Sequence, residues 1–456
     1  MSGYAEIEER QVQKLKRLKQ LIEQKDSVLL SEFIDSQNAI DFAQEVADLE
    51  DEELDQLLPL LDNDELALLL EESDDHERFH IAPMLPNERL LMAFQYMQKD
   101  DIVDLLGDFP IGRRKQVVNL MKADDRRIIN NLLQYPEDSA GGIMTTAYIA
   151  LRKDLTVMQA LEKIREIGPK TEVIETIFVV DEKRRLIGTC DLRDLLTSPK
   201  QVPIHTIMNE SVVTVEPETD QEITAQVVSK YDLKALPVVS KSNQILGIVT
   251  VDDIIDVIVE EYDEDILQLA GVSKEEHLDT TLSESIRMRL PWLMINLLTA
   301  FFASATVKLF ESTISQVVAL SAVMTIVSGM GGNAGTQTMS ILVRQLAQKK
   351  IRFHEGMRAF SKEILLGIIN GAATGLVTAI IVSLIYGNYF LGIIVLLAMI
   401  GNLIVSGFFG FLIPLILAKM KADPAVASSI FVTTATDVLG FFIFLGLASL
   451  FLPYLM

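Results

Sequence analysis

Five long apolar blocks fill the last third of this 456-residue chain, and they limit what it can fold into more than any other feature. They run over about 291–310, 317–342, 363–386, 389–418 and 427–452. Each reaches or exceeds the ~20 residues that a helix needs to cross ~30 Å of hydrocarbon. Backbone groups in lipid must be satisfied within the span, so helices are the expected form. The remainder of the chain is the opposite in character. Residues 1–284 hold 59 Asp and Glu against 29 Lys and Arg, whereas from Ser285 onward 5 acids face 11 bases. The two parts carry −30 and +6, which make up the −24 of the whole chain. Such a split predicts an acidic polar part joined to a membrane part. It excludes a nucleic-acid binder, because the polar part would repel phosphate. The single Cys190 excludes a disulfide framework and a cysteine-based metal cluster, and five histidines argue against a His-rich zinc site.

Loop charges predict the orientation. The N-terminus, MSGYAEIEERQVQKLKRLKQ, is charged throughout and has no signal-peptide pattern. Arg344, Lys349, Lys350, Arg352, Arg358 and Lys362 lie between the second and third blocks, and Lys419 and Lys421 between the fourth and fifth. The opposite loops, ESTIS and GN, carry no Lys or Arg. The positive-inside rule then places the N-terminus in the cytosol and, with five spans, the C-terminus outside. Lys308, near the outer end of the first span, runs mildly against this and is expected to snorkel.

The spans are not plain anchors. The second contains SGMGGNAGTQTMS; the fourth has Asn402, Ser406, Gly407, Gly410 and Pro414; the fifth has SSIFVTTATDVLG. Small residues alone allow close helix packing, but the polar ones favour a water-lined path. Asp437, near the middle of the fifth block, is the only acid that reads as deep in a span. A carboxylate there costs ~2.5–3.5 kcal/mol on insertion scales and marks a functional position; a structural hydrogen bond to a neighbouring helix is the plainer alternative. No intramembrane base is placed to neutralise it, so a cation is the natural counter-charge. Two copies on the axis of a two-fold dimer would hold a dication better than one. Oxygen ligands suit Mg²⁺, Mn²⁺ or Ca²⁺, and Mg²⁺ would keep its waters.

In the acidic part, residues 1–135 read as a stack of short helices, with Leu, Ile and Val at three- and four-residue spacing and Pro83, Pro86 and Pro110 between them. YPEDSAGGIMT (135–145) ends that pattern. An internal repeat follows: Val179/Val238, Val180/Val239, Gly188/Gly247 and Asp194/Asp253 each stand 59 residues apart. Each copy reads as strand, turn, strand, helix, preceded by a helix. The repeat resembles a tandem pair of CBS domains. In nucleotide-binding members the Gly-x-x-Thr-x-x-Asp element, here Gly247, Thr250 and Asp253, contacts phosphate and ribose. The first copy has Asp191 in place of the Thr, so only the second copy is a candidate ATP site.

Between the repeat and the first span lies DDIIDVIVEEYDEDILQLAG (252–271), rich in acids at helical spacing. A solvated acidic helix is the ordinary reading of a charge run. Like charges this close repel, however, and the segment couples the polar part to the spans. Asp100, Asp101 and Asp104 form a second such cluster. Divalent cations bridging these surfaces would favour one compact arrangement.

Taken whole, the chain resembles the MgtE family of magnesium channels, above all in GGNAGTQ (331–337) and DPAVASSIFVTTATDV (423–438). The resemblance implies a homodimer with its pore on the two-fold axis. It implies that Asp437 binds hydrated Mg²⁺, with Asn333 and the Thr433 carbonyl along the same path. It further implies a regulatory Mg²⁺ sensor made of Asp100, Asp104, Glu222, Asp232, Asp253, Asp256, Glu261, Glu264 and Asp265. The chain departs from many relatives at Ser429-Ile430, where they carry Gly-Pro or Asn-Pro. It departs again at Gly142, where they often carry Arg.

The expected architecture is therefore multidomain. An α-helical acidic N domain (1–137) precedes an α/β tandem CBS pair (138–262), a connecting plug helix (263–286) and a five-helix transmembrane domain (287–456). The expected function is passive Mg²⁺ import, closed by cytosolic Mg²⁺. A Na⁺- or H⁺-coupled divalent-cation carrier is the alternative, and a nucleotide-sensing membrane protein a third reading. No GxxxxGK[ST] phosphate loop and no nucleophile–base constellation point to an enzyme.

Overall fold

The computed structural model describes residues 2–273, 276, 280–347, 353–420, 424 and 428–455. Lys349, Lys350, Arg352, Lys421 and Asp423 lie outside them. The chain forms two compact units, Met1–Ile258 and Val259–Met456.

The first unit opens with ten helices, α1–α10, between Ser2 and Leu132. Together they bury apolar faces in a common core that includes Leu21, Leu30, Phe42, Leu57, Leu66, Leu90 and Leu106. Much of the acidity has a local cause. Acids occupy the first turns of α4 (Asp51–Leu57), α5 (Asn63–Glu72), α8 (Lys99–Gly107) and α10 (Ala123–Leu132), where they face the positive end of the helix dipole. In α5 the Asp62 and Glu65 side chains form a reciprocal capping box. Pro86 and Pro110 occupy N-cap positions as turn breakers, but Pro83 sits inside α6 (Asp75–Met84). Its ring removes one i→i−4 bond in the last turn, and the helix ends one residue later.

The repeat then appears as two copies of one unit. The first copy has strands β1 (Ala150–Arg152), β2 (Thr176–Val180) and β3 (Leu186–Asp191), with helices α11 (Val157–Ile167) and α12 (Leu192–Thr197). The second has β4 (Ala235–Val239) and β5 (Ile245–Thr250), between α13 (Gln221–Tyr231) and α14 (Val251–Leu269). Val179 pairs with Gly188 and Val238 with Gly247, and each hairpin has its register shift one residue later. The hairpin turns place Arg184 and Asn243, again 59 apart, at φ of 60° and 61°. The parallel β1–β2 pairing is echoed in the second copy by the single Val215–Val238 bridge. The polar–membrane joint differs from expectation. α14 is one helix across the boundary anticipated at 262, and it ends at Leu269.

The second unit contains α15 (Leu282–Leu309), the short α16 (Glu311–Gln316), α17 (Ala319–Ala347), α18 (Phe353–Tyr386), α19 (Tyr389–Lys419), α20 (Ser428–Leu450) and the terminal α21 (Leu452–Leu455). The ESTIS segment, expected as a loop, is α16. Among the described residues four helices are long and apolar enough to cross a membrane: α15, α18, α19 and α20. α17, expected as a span, has the length at 29 residues but not the hydropathy, because Gly, Asn, Thr and Gln fill its middle. α19 is the central element, burying Val395, Ala398, Met399, Asn402 and Ser406 among others.

Candidate functional site

Two groups of polar residues stand out, one in each unit. In the second unit α17 is two-faced. Val323, Val327, Gly331, Gly335 and Met339 are buried, whereas Thr325, Gly329, Asn333, Thr336 and Gln337 are exposed at helical spacing. Among the described residues nothing apolar covers these hydroxyls and amides. Next to this face lies α20, where Thr433 is exposed and Asp437 half-buried one turn further on. The Ser328 hydroxyl of α17 donates to Asp437 Oδ1, so the two helices meet at the carboxylate. Thr436 is fully buried and donates to the Thr433 carbonyl at 2.9 Å. Among the described residues Asp437 thus has a neutral hydroxyl partner and no base.

Sequence reading took Asp437 as the only acid deep in a span; Glu363 qualifies this. It lies inside α18 and accepts a 2.9 Å bond from the buried Thr338. The extra helical residues before 363 put it well past the start of the helix. At the far end of α14, Leu269 packs against the cluster of Met339 and Val343 of α17 and Val432 of α20, on which Ile413 of α19 also packs. The acidic helix therefore ends in an apolar tip seated against the cluster that contains Val432, the residue before Thr433. Of the acids assigned to the sensor, Glu261, Glu264 and Asp265 are half-buried on this helix, and the Gln268 side-chain amide donates to Glu264.

In the first unit, the start of α8 meets the α/β copies in a group of carboxyls. Thr145 sits at its centre. Its backbone makes two bonds with Ile248, of 2.8 and 2.9 Å, across Gly247. A Cβ on Gly247 would lie 2.6 Å from the Thr145 carbonyl, so the glycine admits this strand-like contact. Thr145 Oγ1 then stands 2.7 Å from Glu172 Oε1 and 3.2 Å from Asp100 Oδ1. One hydroxyl has one proton, so completing both bonds requires a carboxyl that carries a proton itself. The electrostatics agree. Desolvation, followed by the neighbouring Asp101 and Asp253, pushes Asp100 up to about 7. Desolvation and Glu71 push Asp101 up to about 7. Desolvation and Asp100 push Glu172 up to about 8. Burial also raises Asp253, against the lowering effect of a 2.6 Å bond from Thr250. These acids share too little water and too little positive charge to ionise together.

Of the predicted sensor residues in this unit, the structure brings Asp100 and Asp253 together. Asp104 lies one turn along α8 and is exposed, as is Asp256 on α14. Glu222 and Asp232 occupy the two ends of α13, the latter as its left-handed C-cap at φ 51°. Glu222 accepts from Gln226 at 3.0 Å. Glu71, Thr145 and Glu172 were missed, and Asp101 was named in the acidic cluster but left out of the sensor. The GGIMT segment was noticed as a break and for Gly142, with no role given to Thr145, and Glu172 stands in a stretch without pattern. Among the described residues no three carboxylates or histidines converge on one metal-sized point. A cation here would have to draw the acids in. The predicted nucleotide pair, Thr250 and Asp253, is bonded to itself and faces other carboxyls, a setting hostile to phosphate.

Comparison with known proteins agrees with this division. A family described as a divalent cation transporter, MgtE, matches residues 324–447, the MgtE intracellular N domain matches 37–138, and CBS domains match 140–200 and 204–260. The magnesium transporter MgtE of Bacillus subtilis is 32% identical over 395 residues, covering 87% of this chain and 88% of that protein. The protein of the same name from Enterococcus faecalis is 37% identical over 326 residues, covering 72% of each. Among solved structures, the cytosolic domain of the Mg²⁺ channel MgtE in complex with ATP is 33% identical, with a TM-score of 0.51 over 53% of this chain and 99% of that one.

Proposed function

This chain belongs to the MgtE family, and from that premise we propose that it imports Mg²⁺ passively through a pore on the two-fold axis of a homodimer. It is a membrane protein of a transporter family, not an enzyme family. The reading rests on one observation: the uncovered polar face of α17 adjoins the half-buried Asp437 of α20. A second copy would cover that face and double the carboxylate. Two carboxylates, with Asn333 and the Thr433 carbonyl, would grip a hydrated dication through its waters. α17 is then a fifth span, polar because it lines water rather than lipid. Entry is driven by the membrane potential, worth ~2.3 kcal/mol per charge per 100 mV and twice that for Mg²⁺. Lys and Arg in the loops support a cytosolic N-terminus and an outer C-terminus.

Closure follows from the acids. When cytosolic Mg²⁺ is scarce, protons and repulsion govern the Asp100–Glu172–Asp253 group. When it is abundant, Mg²⁺ replaces the protons, with Asp104, Glu222, Asp232 and Asp256 as further ligands in the same unit. Binding at Glu261, Glu264 and Asp265 holds α14 so that Leu269 stays against the cluster that contains Val432. Thr250 and Asp253 serve this metal site; an ATP site in the second copy would compete with it. Mg²⁺ flux into liposomes, with internal Mg²⁺ varied, tests transport and feedback together. Single-channel currents distinguish a pore from a coupled carrier, and stoichiometric flux without conductance would defeat the reading.

A further inference from the structure

The pore reading leaves one polar group of the second unit unused. Asn402 of α19 is completely buried, and its Nδ2 donates to the Val327 carbonyl at 2.8 Å. Val327 immediately precedes Ser328, the residue whose hydroxyl holds Asp437. The amide is wedged between two glycines. A Cβ on Gly440 of α20 would lie 2.7 Å from both its nitrogen and its oxygen, and one on Gly331 of α17 would lie closer still to Nδ2. Gly331 stands three residues after Ser328, and Gly440 three after Asp437. One side chain thus touches both pore helices, one turn from each member of the Ser328–Asp437 pair. Ser406, also fully buried, repeats the contact a turn further along α19, its Oγ lying 2.7 Å from the Gly331 carbonyl.

We propose that Asn402 is a positioning residue for the ion site: its amide fixes α17 against α20 and so sets the Ser328–Asp437 geometry on which ion discrimination depends. The inference rests on Asp437 being the ion ligand. Packing alone does not account for an amide here. Among the described residues Oδ1 has no hydrogen-bond donor, and a buried polar atom so placed is unfavourable. A leucine of similar volume would fill the space without that penalty. Discrimination among hard dications depends on cavity size and rigidity, so a small slip between α17 and α20 changes preference before it changes folding.

The test uses the full chain in liposomes, with Mg²⁺ and Ca²⁺ uptake measured on the native protein, Asn402→Leu, Asn402→Asp and Asp437→Asn. Asn402→Leu is expected to raise half-saturating Mg²⁺ about two- to tenfold and to lower the Mg²⁺/Ca²⁺ preference by a similar factor, the scale of one net hydrogen bond. Maximal Mg²⁺ uptake should change far less. Asn402→Asp supplies a conservative rescue, because a protonated carboxyl donates to the Val327 carbonyl and an ionised one cannot. It should match the native protein at pH 5.5 and depart from it at pH 8, each compared at the same pH. Native half-saturation and preference in Asn402→Leu would overturn the proposal. If that variant fails to insert, an Asn402→Asp protein differing from native by a constant factor at every pH would overturn it. Undiminished uptake by Asp437→Asn would instead remove the pore reading beneath it.

Discussion

Replacing Asp100 by Asn should stabilise the cytosolic part at neutral pH and remove much of its dependence on both pH and Mg²⁺. Asp100 sits at about 7 in the folded chain against an ordinary value of 3.8. The folded state therefore holds a proton that the unfolded state releases. The stability associated with that proton is fully present below about pH 4, declines as pH rises, and is lost above about pH 7. Three units at 1.36 kcal/mol each set an upper bound of about 4 kcal/mol. Because the group is partly exposed and its neighbours titrate with it, solvent screening reduces this to about 1–2 kcal/mol. For a unit of this size that is a fall of roughly 2–8 °C in Tm between pH 5 and pH 8. A similar cytosolic domain, 33% identical over 53% of this chain, has been solved alone, and the assay uses the fragment 1–269. Tm by calorimetry, at pH 5, 6.5 and 8, with and without Mg²⁺, supplies the readout. The native fragment should lose stability with pH and regain it with Mg²⁺; Asp100→Asn should be flatter in both respects. An Asp100→Asn fragment as sensitive as the native one to pH and Mg²⁺ would refute the argument, since the proton and the cation would then be held elsewhere.

Three further outcomes follow from the same geometry. Asp437→Ala should abolish Mg²⁺ uptake while leaving a folded dimer by size-exclusion chromatography, and normal uptake would sink the pore assignment. Neutralising Asp253, Asp256, Glu261 and Glu264 together should leave currents that persist at millimolar internal Mg²⁺; unchanged closure would remove these acids from the sensor. Gly142→Ala should lower the Tm of the 1–269 fragment by several degrees, because a Cβ there would crowd the Pro136 and Glu137 carbonyls, and a native Tm would show that this turn relaxes freely.

Much of the architecture was legible because its signals are local. The fourth block, read as 389–418, became α19 at Tyr389–Lys419, and the fifth, read as 427–452, became α20 at Ser428–Leu450. The 59-residue repeat reappears as identical hairpin registers, down to the shared register shift after Val179 and Val238. Asp437 stands out in the sequence as one acid in an apolar run. Less visible was the length of α14, since a CBS boundary and a continuous helix leave the same acidic pattern. α17 was read as a span on length, and its polar face became meaningful only once its opposite face was seen buried.

What the chain's order of residues determined by itself is where it is apolar, where it repeats and where its charge accumulates, because hydropathy and helical spacing are properties of neighbours in sequence. What only the folded structure decided is which of the 64 acids keep a proton and which polar groups hold the pore helices in place. Desolvation and charge coupling depend on neighbours in space. Asp100 meets Glu172 through a threonine 45 residues away, and Asn402 reaches the Val327 carbonyl across 75. Separations of that size leave no periodic trace in a sequence.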